Sequence, residues 1–135
     1  MSDLFEGADV IFSYSRAQAI ADGVLIDITE IAREAGFKVP VAITRTAWAD
    51  CVEWSEATQQ RKRTVQDENG RLWDVVYMAN FEARRNAGRS RVTFTVYRVP
   101  AEGRGIVPKP ATLVAHVGPG DQGEPVITIM QPGED

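Results

Sequence analysis

Cys51 and His116 are the only cysteine and the only histidine in the chain. Together they would make a nucleophile and its base. The spacing around Cys51 favours a different reading. Trp48, Cys51, Val52 and Ser55 recur at helical intervals, with Trp54 beside them. The thiol therefore belongs to the apolar face of a helix, where burial raises its pKa and leaves it a small hydrophobe. His116 alternates with Val117 in a strand and is expected on the open face of a sheet. One Cys and one His cannot close a zinc site. Asp121 and Glu124, in the loop Gly118-Pro-Gly-Asp-Gln-Gly-Glu-Pro125, offer too few oxygens for calcium. The glycines of that loop invite a phosphate cradle, but a strand follows where a cradle needs a helix start, and two acids repel an anion. The loop reads as a polar connection whose glycines supply positive φ. No catalytic residue, metal or cofactor is expected, and the reading leans away from an enzyme.

Two basic groups remain. Arg84, Arg85, Arg89 and Arg91 gather where a helix meets a strand, and Arg61, Lys62 and Arg63 form a second run. Either suits a phosphate or an acidic partner. The plainer account is that cations favour helix C-termini and that loops carry charge for solubility. No aromatic platform or nucleic-acid motif accompanies the arginines.

The elements that must position these groups are legible from spacing. Arg91–Val99 (RVTFTVYRV) alternates cleanly, with Val92, Phe94 and Val96 on one face and Thr93, Thr95 and Tyr97 on the other. That alternation marks a sheet covered on one side. Residues 112–117 and 126–130 are two further apolar runs that close the sheet as a hairpin. Upstream, Ser15 and Gln18 form a capping box for a helix over 16–22, which Gly23 ends. After an apolar elbow at 24–26, Asp27 and Glu30 form a second capping pair for a helix to Ala35, stopped by Gly36. Val39–Thr44 reads as a strand in which Pro40 points to an edge position or to the strand's first residues. Thr44 or Thr46 caps a third helix running to about Ala57. Residues 59–70 look like a charged surface loop. Asn69-Gly70 suits a hairpin turn. However, Leu72, Val75, Val76, Ala79 and Ala83 make a helical stripe, with Trp73, Tyr77 and Phe81 beside it. A helix over about 71–86 is the expectation, ended by Gly88. Residues 9–12 suit a short strand or an apolar anchor. The termini, 1–8 and 131–135, are expected to be loose.

Helices first and strands last imply a single α+β domain over 1–135. Its three- to four-stranded, mostly antiparallel sheet packs on helices. A chain of 135 residues buries enough surface to fold without a disulfide or metal. A lone cysteine fits a reducing compartment. The acidic start, MSDLFEGADVIF, lacks the pattern of a secretory leader, and no apolar run approaches a membrane span. A cytoplasmic protein without a membrane partner is expected. The net charge of −4 argues against broad binding to nucleic acid.

Three stretches, Tyr14–Ile28 (YSRAQAIADGVLIDI), Gly70–Val75 (GRLWDV) and Gly118–Met130 (GPGDQGEPVITIM), resemble a family of small proteins borne by bacterial plasmids, integrated elements and phages, a DUF6573-like domain of unknown function. The resemblance implies a mobile-element setting and no activity. Among its polar and aromatic residues, Asp27 is explained by capping and Asp22 by a helix end. Arg16 and Asp74 suit a buried pair, and a pocket would lie between the first helix and Trp73. The candidate contact residues are Tyr14, Arg16, Trp73, Asp74, Arg84, Arg85 and Arg89. Three functions follow, in order. The first is a mobile-element accessory protein that binds a host or element protein, in its sharpest form against host defence. The second is a small enzyme or ligand binder. The third is a DNA-binding regulator that uses Arg84–Arg91.

Overall fold

A computed structural model describes residues 14–134. Helix α1 (Arg16–Ala21), strand β1 (Leu25–Asp27), helix α2 (Thr29–Ala35) and strand β2 (Val41–Thr44) form the first third. Helices α3 (Arg45–Cys51), α4 (Glu56–Lys62) and α5 (Glu68–Arg85) follow, then strands β3 (Arg91–Arg98), β4 (Lys109–Pro119) and β5 (Pro125–Met130). The fold is α+β, with one sheet in the order β1-β2-β5-β4-β3. The short strand or apolar anchor expected at 9–12 and the amino-terminal tail lie outside the described residues.

The sheet has five strands rather than three or four, and it is mixed. β3, β4 and β5 are antiparallel neighbours. β2 instead runs parallel to β5, with Val41 opposite Ile127 and Ile43 opposite Ile129. Pro40 does not push β2 to an edge, because it stands one residue before the strand. Its carbonyl accepts from the Ile127 amide at 2.9 Å, so the missing N–H removes nothing from the ladder. The apolar elbow at 24–26 is β1, a short edge strand antiparallel to β2.

The core lies on one sheet face. Val41, Ile43, Leu113 and Ile129 are fully buried there against Ala32, Ala47, Cys51, Val75, Val76 and Ala79 from the helices. Each strand contributes alternate residues. Phe94 and Val96 point in, while Thr93, Thr95 and Tyr97 stay exposed.

Local chemistry sets the helix ends. Ser15 Oγ accepts from the Gln18 amide at 3.0 Å, and Gln18 Oε1 accepts from the Ser15 amide at 3.1 Å, the reciprocal box expected at α1. At α2 the Asp27–Glu30 box is not formed. Asp27 Oδ1 instead accepts from both the amide and the hydroxyl of Thr29, at 3.0 and 2.6 Å. Gly36 ends α2 at φ 119°, and a Cβ there would stand 3.0 Å from Asn80 Oδ1. Both the backbone and the space therefore call for glycine.

The expected third helix to Ala57 is two helices. α3, capped by Thr44, stops at Cys51, and Ser55 caps α4. The stretch 59–70 is not a surface loop. Its first part completes α4, Arg63 takes the left-handed conformation, and Asp67 caps α5 from Glu68 onward. Asn69 and Gly70 therefore sit in the first turn of a helix rather than in a hairpin. At the far end of the chain, Glu134 accepts from the hydroxyls of Thr44 and Thr46 and from the Gln131 amide.

Candidate functional site

The candidate residues divide between the two faces of the sheet. Arg16 begins α1. Its guanidinium donates to Thr128 Oγ1 and to the Ile127 carbonyl, each at 2.7 Å. Thr128 alternates with the core residues Ile127 and Ile129, so α1 lies against the sheet face opposite the main core. The amides of Arg16 and Ala17 donate to the Asp121 carboxylate at 2.8 and 3.0 Å. Asp121 is thus more than a connection residue. It reaches from the β4–β5 turn to cap α1, and those two amides lower its pKa. Two of the recognisable stretches, 14–28 and 118–130, are joined by these bonds. Tyr14 completes the local set by donating to Asp22 Oδ2 at 2.6 Å, which raises the phenol's pKa.

This arrangement gives a pH dependence. Asp121 is held below the usual carboxylate range, so its contribution is full above the unfolded carboxyl pKa. The contribution is lost as pH falls through the folded value. Asp121→Asn should therefore show a smaller loss of stability on acidification below about pH 4 than the native chain, measured by urea unfolding at a series of pH values.

The third stretch lies on the other side of the sheet. Trp73 and Asp74 are on α5, which packs on the main-core face through Leu72, Val75, Val76 and Ala79. The sheet separates Arg16 from Asp74, so the expected Arg16–Asp74 pair is not formed. The sheet also stands between α1 and Trp73, where the sequence places a pocket. A shallow pocket of about 190 Å³ does run beside α1, lined by Arg16, Asp27, Pro40 and Asp121 among others.

Asp74 instead borders a groove of about 440 Å³ with Tyr77 and Met78 of α5 and Thr95, Val96 and Tyr97 of β3. Desolvation raises the Asp74 pKa, with Arg71 opposing. Trp73 and Tyr77 stand with ring centroids 6.3 Å apart. The Arg85 guanidinium lies 5.5 Å from the Phe81 ring centre and donates to Glu82 at 2.9 Å. Arg84 and Arg89 are exposed near it. The groove was visible in sequence only as the stripe Trp73, Tyr77, Phe81; its β3 wall is a tertiary feature.

The second basic run serves the structure. The Lys62 amine is buried and donates to the carbonyls of Pro100 and Gly105, and Arg61 donates to Ala101. These bonds tie α4 to the loop after β3. Arg71, which sequence reasoning missed, is also buried. It donates from Nε to Val52 O and from Nη1 to Val99 O, both at 2.9 Å, and sits 4.8 Å from the Trp54 ring centre. A cleft of about 340 Å³ lies beside the Asp50–Arg98 ion pair, whose oxygen and nitrogen are 2.8 Å apart.

Cys51 is in the core, and burial, with Asp50 adding, pushes its thiol up to about 12. His116 follows Ala115, a core residue of β4, and so points to the opposite face. Thiol and imidazole are on different sides of the sheet. Among the described residues no group of three His, Cys, Asp or Glu is placed to hold a metal ion. No described helix is long and apolar enough to cross a membrane.

No curated protein and no solved structure matches the chain. A family model does, across residues 1–135. The chain belongs to DUF6573, a family of unknown function.

Proposed function

We propose that this protein works by binding another protein chain, and that its contact surface is the outer side of α5 with the free edge of β3. The observation that carries this reading is the exposure of four aromatic side chains on α5 and β3, of which Tyr77 and Tyr97 line the groove. Trp73 is 38% exposed, Tyr77 52%, Phe81 46% and Tyr97 67%. α5 already buries Leu72, Val75, Val76 and Ala79 in the core, and this second stripe leaves much of its aromatic surface open to solvent. Contiguous exposed aromatic surface is characteristic of contact sites, and aromatics with arginine dominate their energetics.

The resemblance supplies the setting. The protein acts as an accessory of a mobile element in the cytoplasm of its bacterial host, and its target is a host or element protein, in the sharpest form a component of host defence. DNA binding through Arg84, Arg85 and Arg89 is the weaker reading. Arg85 is engaged by Phe81 and Glu82 within its own helix, and the net charge is negative.

Photo-crosslinking tests the reading. With p-benzoylphenylalanine at Tyr77, irradiation in cells should give a discrete protein adduct. The same group at exposed Glu34 on α2 should give none. Trp73→Ser with Phe81→Ser should abolish the Tyr77 adduct while the chain stays folded with an unchanged circular dichroism spectrum, because neither ring belongs to the fully buried core. Equal labelling at Tyr77 and Glu34, or none at either, contradicts the reading.

A further inference from the structure

The groove beside β3 is also the end of the sheet. Among the described residues β3 pairs only with β4. The Val117 amide donates to Ser90 O at 2.7 Å, and the register continues from there as Arg91 opposite His116 and Val92 opposite Ala115. In an antiparallel ladder, hydrogen-bonded pairs alternate. Val92, Phe94, Val96 and Arg98 therefore turn their amides and carbonyls to β4, and Thr93, Thr95 and Tyr97 turn theirs to the open edge. Such a row is a template for another strand.

We infer that the occupant of this edge is a second copy of the chain, paired antiparallel through β3 across a two-fold axis at Thr95. This rests on the reading of the α5–β3 surface as a protein contact, and it names what that surface holds.

Three observations favour a second copy. The first is pairing. With Thr95 facing its own counterpart, Thr93 faces Tyr97 of the other copy, and all three outward residues find partners in one register. The second is charge. α5 and β3 run in opposite directions, since residues 86–90 join them and the groove sets Asp74 and Tyr77 against Thr95 and Tyr97. A two-fold axis near Thr95 makes the two α5 helices antiparallel. The basic end of each, where Arg84 is exposed, then lies towards Trp73 and Asp74 of the other. The surface is self-complementary in sign, as an isologous contact requires. The third is area. A stable dimer needs roughly 800 Å² from each partner. Edge hydrogen bonds alone bury too little, and the aromatic stripe supplies apolar surface beside them.

Sedimentation equilibrium of the purified full chain should give twice the monomer mass at tens of micromolar. Thr95→Lys places two ammonium groups against each other at the axis. Because Thr95 is exposed, the monomer should keep its circular dichroism spectrum and melting temperature, while dimerisation weakens by roughly 100-fold. Thr95→Cys should form a disulfide-linked dimer on mild oxidation, since facing residues in such a pair have Cα atoms within disulfide range; Glu34→Cys should not. A monomer at every concentration overturns the inference. So does a dimer that Thr95→Lys leaves intact and Thr95→Cys does not link. If the chain is monomeric but the Tyr77 crosslink yields an adduct with a different protein, self-pairing fails and the contact surface stands. A monomer with no adduct removes both.

Discussion

Replacing Arg71 with alanine should destabilise the protein by about 3 kcal/mol, measured by urea unfolding, although no carboxylate bonds this guanidinium. The side chain holds Val52 O and Val99 O from inside the core. Those carbonyls end α3 and follow β3, so one residue of α5 joins two elements far from it in sequence. Its removal leaves two buried acceptors, each costing about 1–3 kcal/mol when unpaired. It also removes the contact with Trp54. Opposing this, the mutant no longer buries a charge, which is why desolvation lowers the Arg71 pKa, and the rotamer entropy regained is at most about 2 kcal/mol. The unpaired acceptors and the lost packing win. Arg71→Lys should recover less than half of the loss, because a single ammonium cannot present the fork that reaches both carbonyls. A loss below about 1 kcal/mol for Arg71→Ala would show that water or local rearrangement satisfies both carbonyls.

Cys51 should dominate the response to alkali. Its thiol is raised from 9.0 to about 12, first by burial and then by Asp50. A raised folded pKa means that the contribution is complete below the unfolded value and is lost as pH rises through the folded one. Between about pH 9 and pH 12 the native chain should lose up to about 4 kcal/mol from this group, at about 1.4 kcal/mol per pH unit. Lys62 works in the opposite sense. Its pKa is lowered, chiefly by desolvation, so its contribution grows as pH rises. Subtracting the curve for Cys51→Ala isolates the thiol, and the difference should slope only above about pH 9. The same burial should keep Cys51 unreactive towards a thiol reagent at neutral pH until the chain unfolds. Rapid labelling of the native protein would contradict both expectations.

What the sequence disclosed, and what it concealed, follows from the range of each interaction. The box at Ser15 and Gln18 spans three residues and formed as expected. β3 announced itself by alternation and α5 by its apolar stripe, because each signal repeats along the element. β1 is too short to repeat anything, and it became a strand only because β2 lies beside it. Pro40 left two places open, an edge or the start of the strand, and it stands immediately before the first residue of β2. α4 was hidden because its buried residues are Thr58 and Lys62, whose polar ends find partners that lie elsewhere in the chain. At the site, Trp73, Tyr77 and Phe81 are legible as a stripe, whereas the groove that Tyr77 borders needs Thr95 and Tyr97 from β3. Arg16 is paired with Asp74 in the sequence reading. Its true partner, Thr128, stands 112 positions away, and nothing local points to it.

Amide hydrogen exchange along β3 tests the central claim most directly, because it asks whether the free edge is covered by protein in solution. Val92, Phe94 and Val96 face β4 and should exchange slowly at every concentration. Thr93, Thr95 and Tyr97 face outward and should exchange fast in dilute protein, then slow together as concentration rises and the edge is occupied. Fast exchange at those three amides from micromolar to millimolar protein would contradict self-pairing through β3.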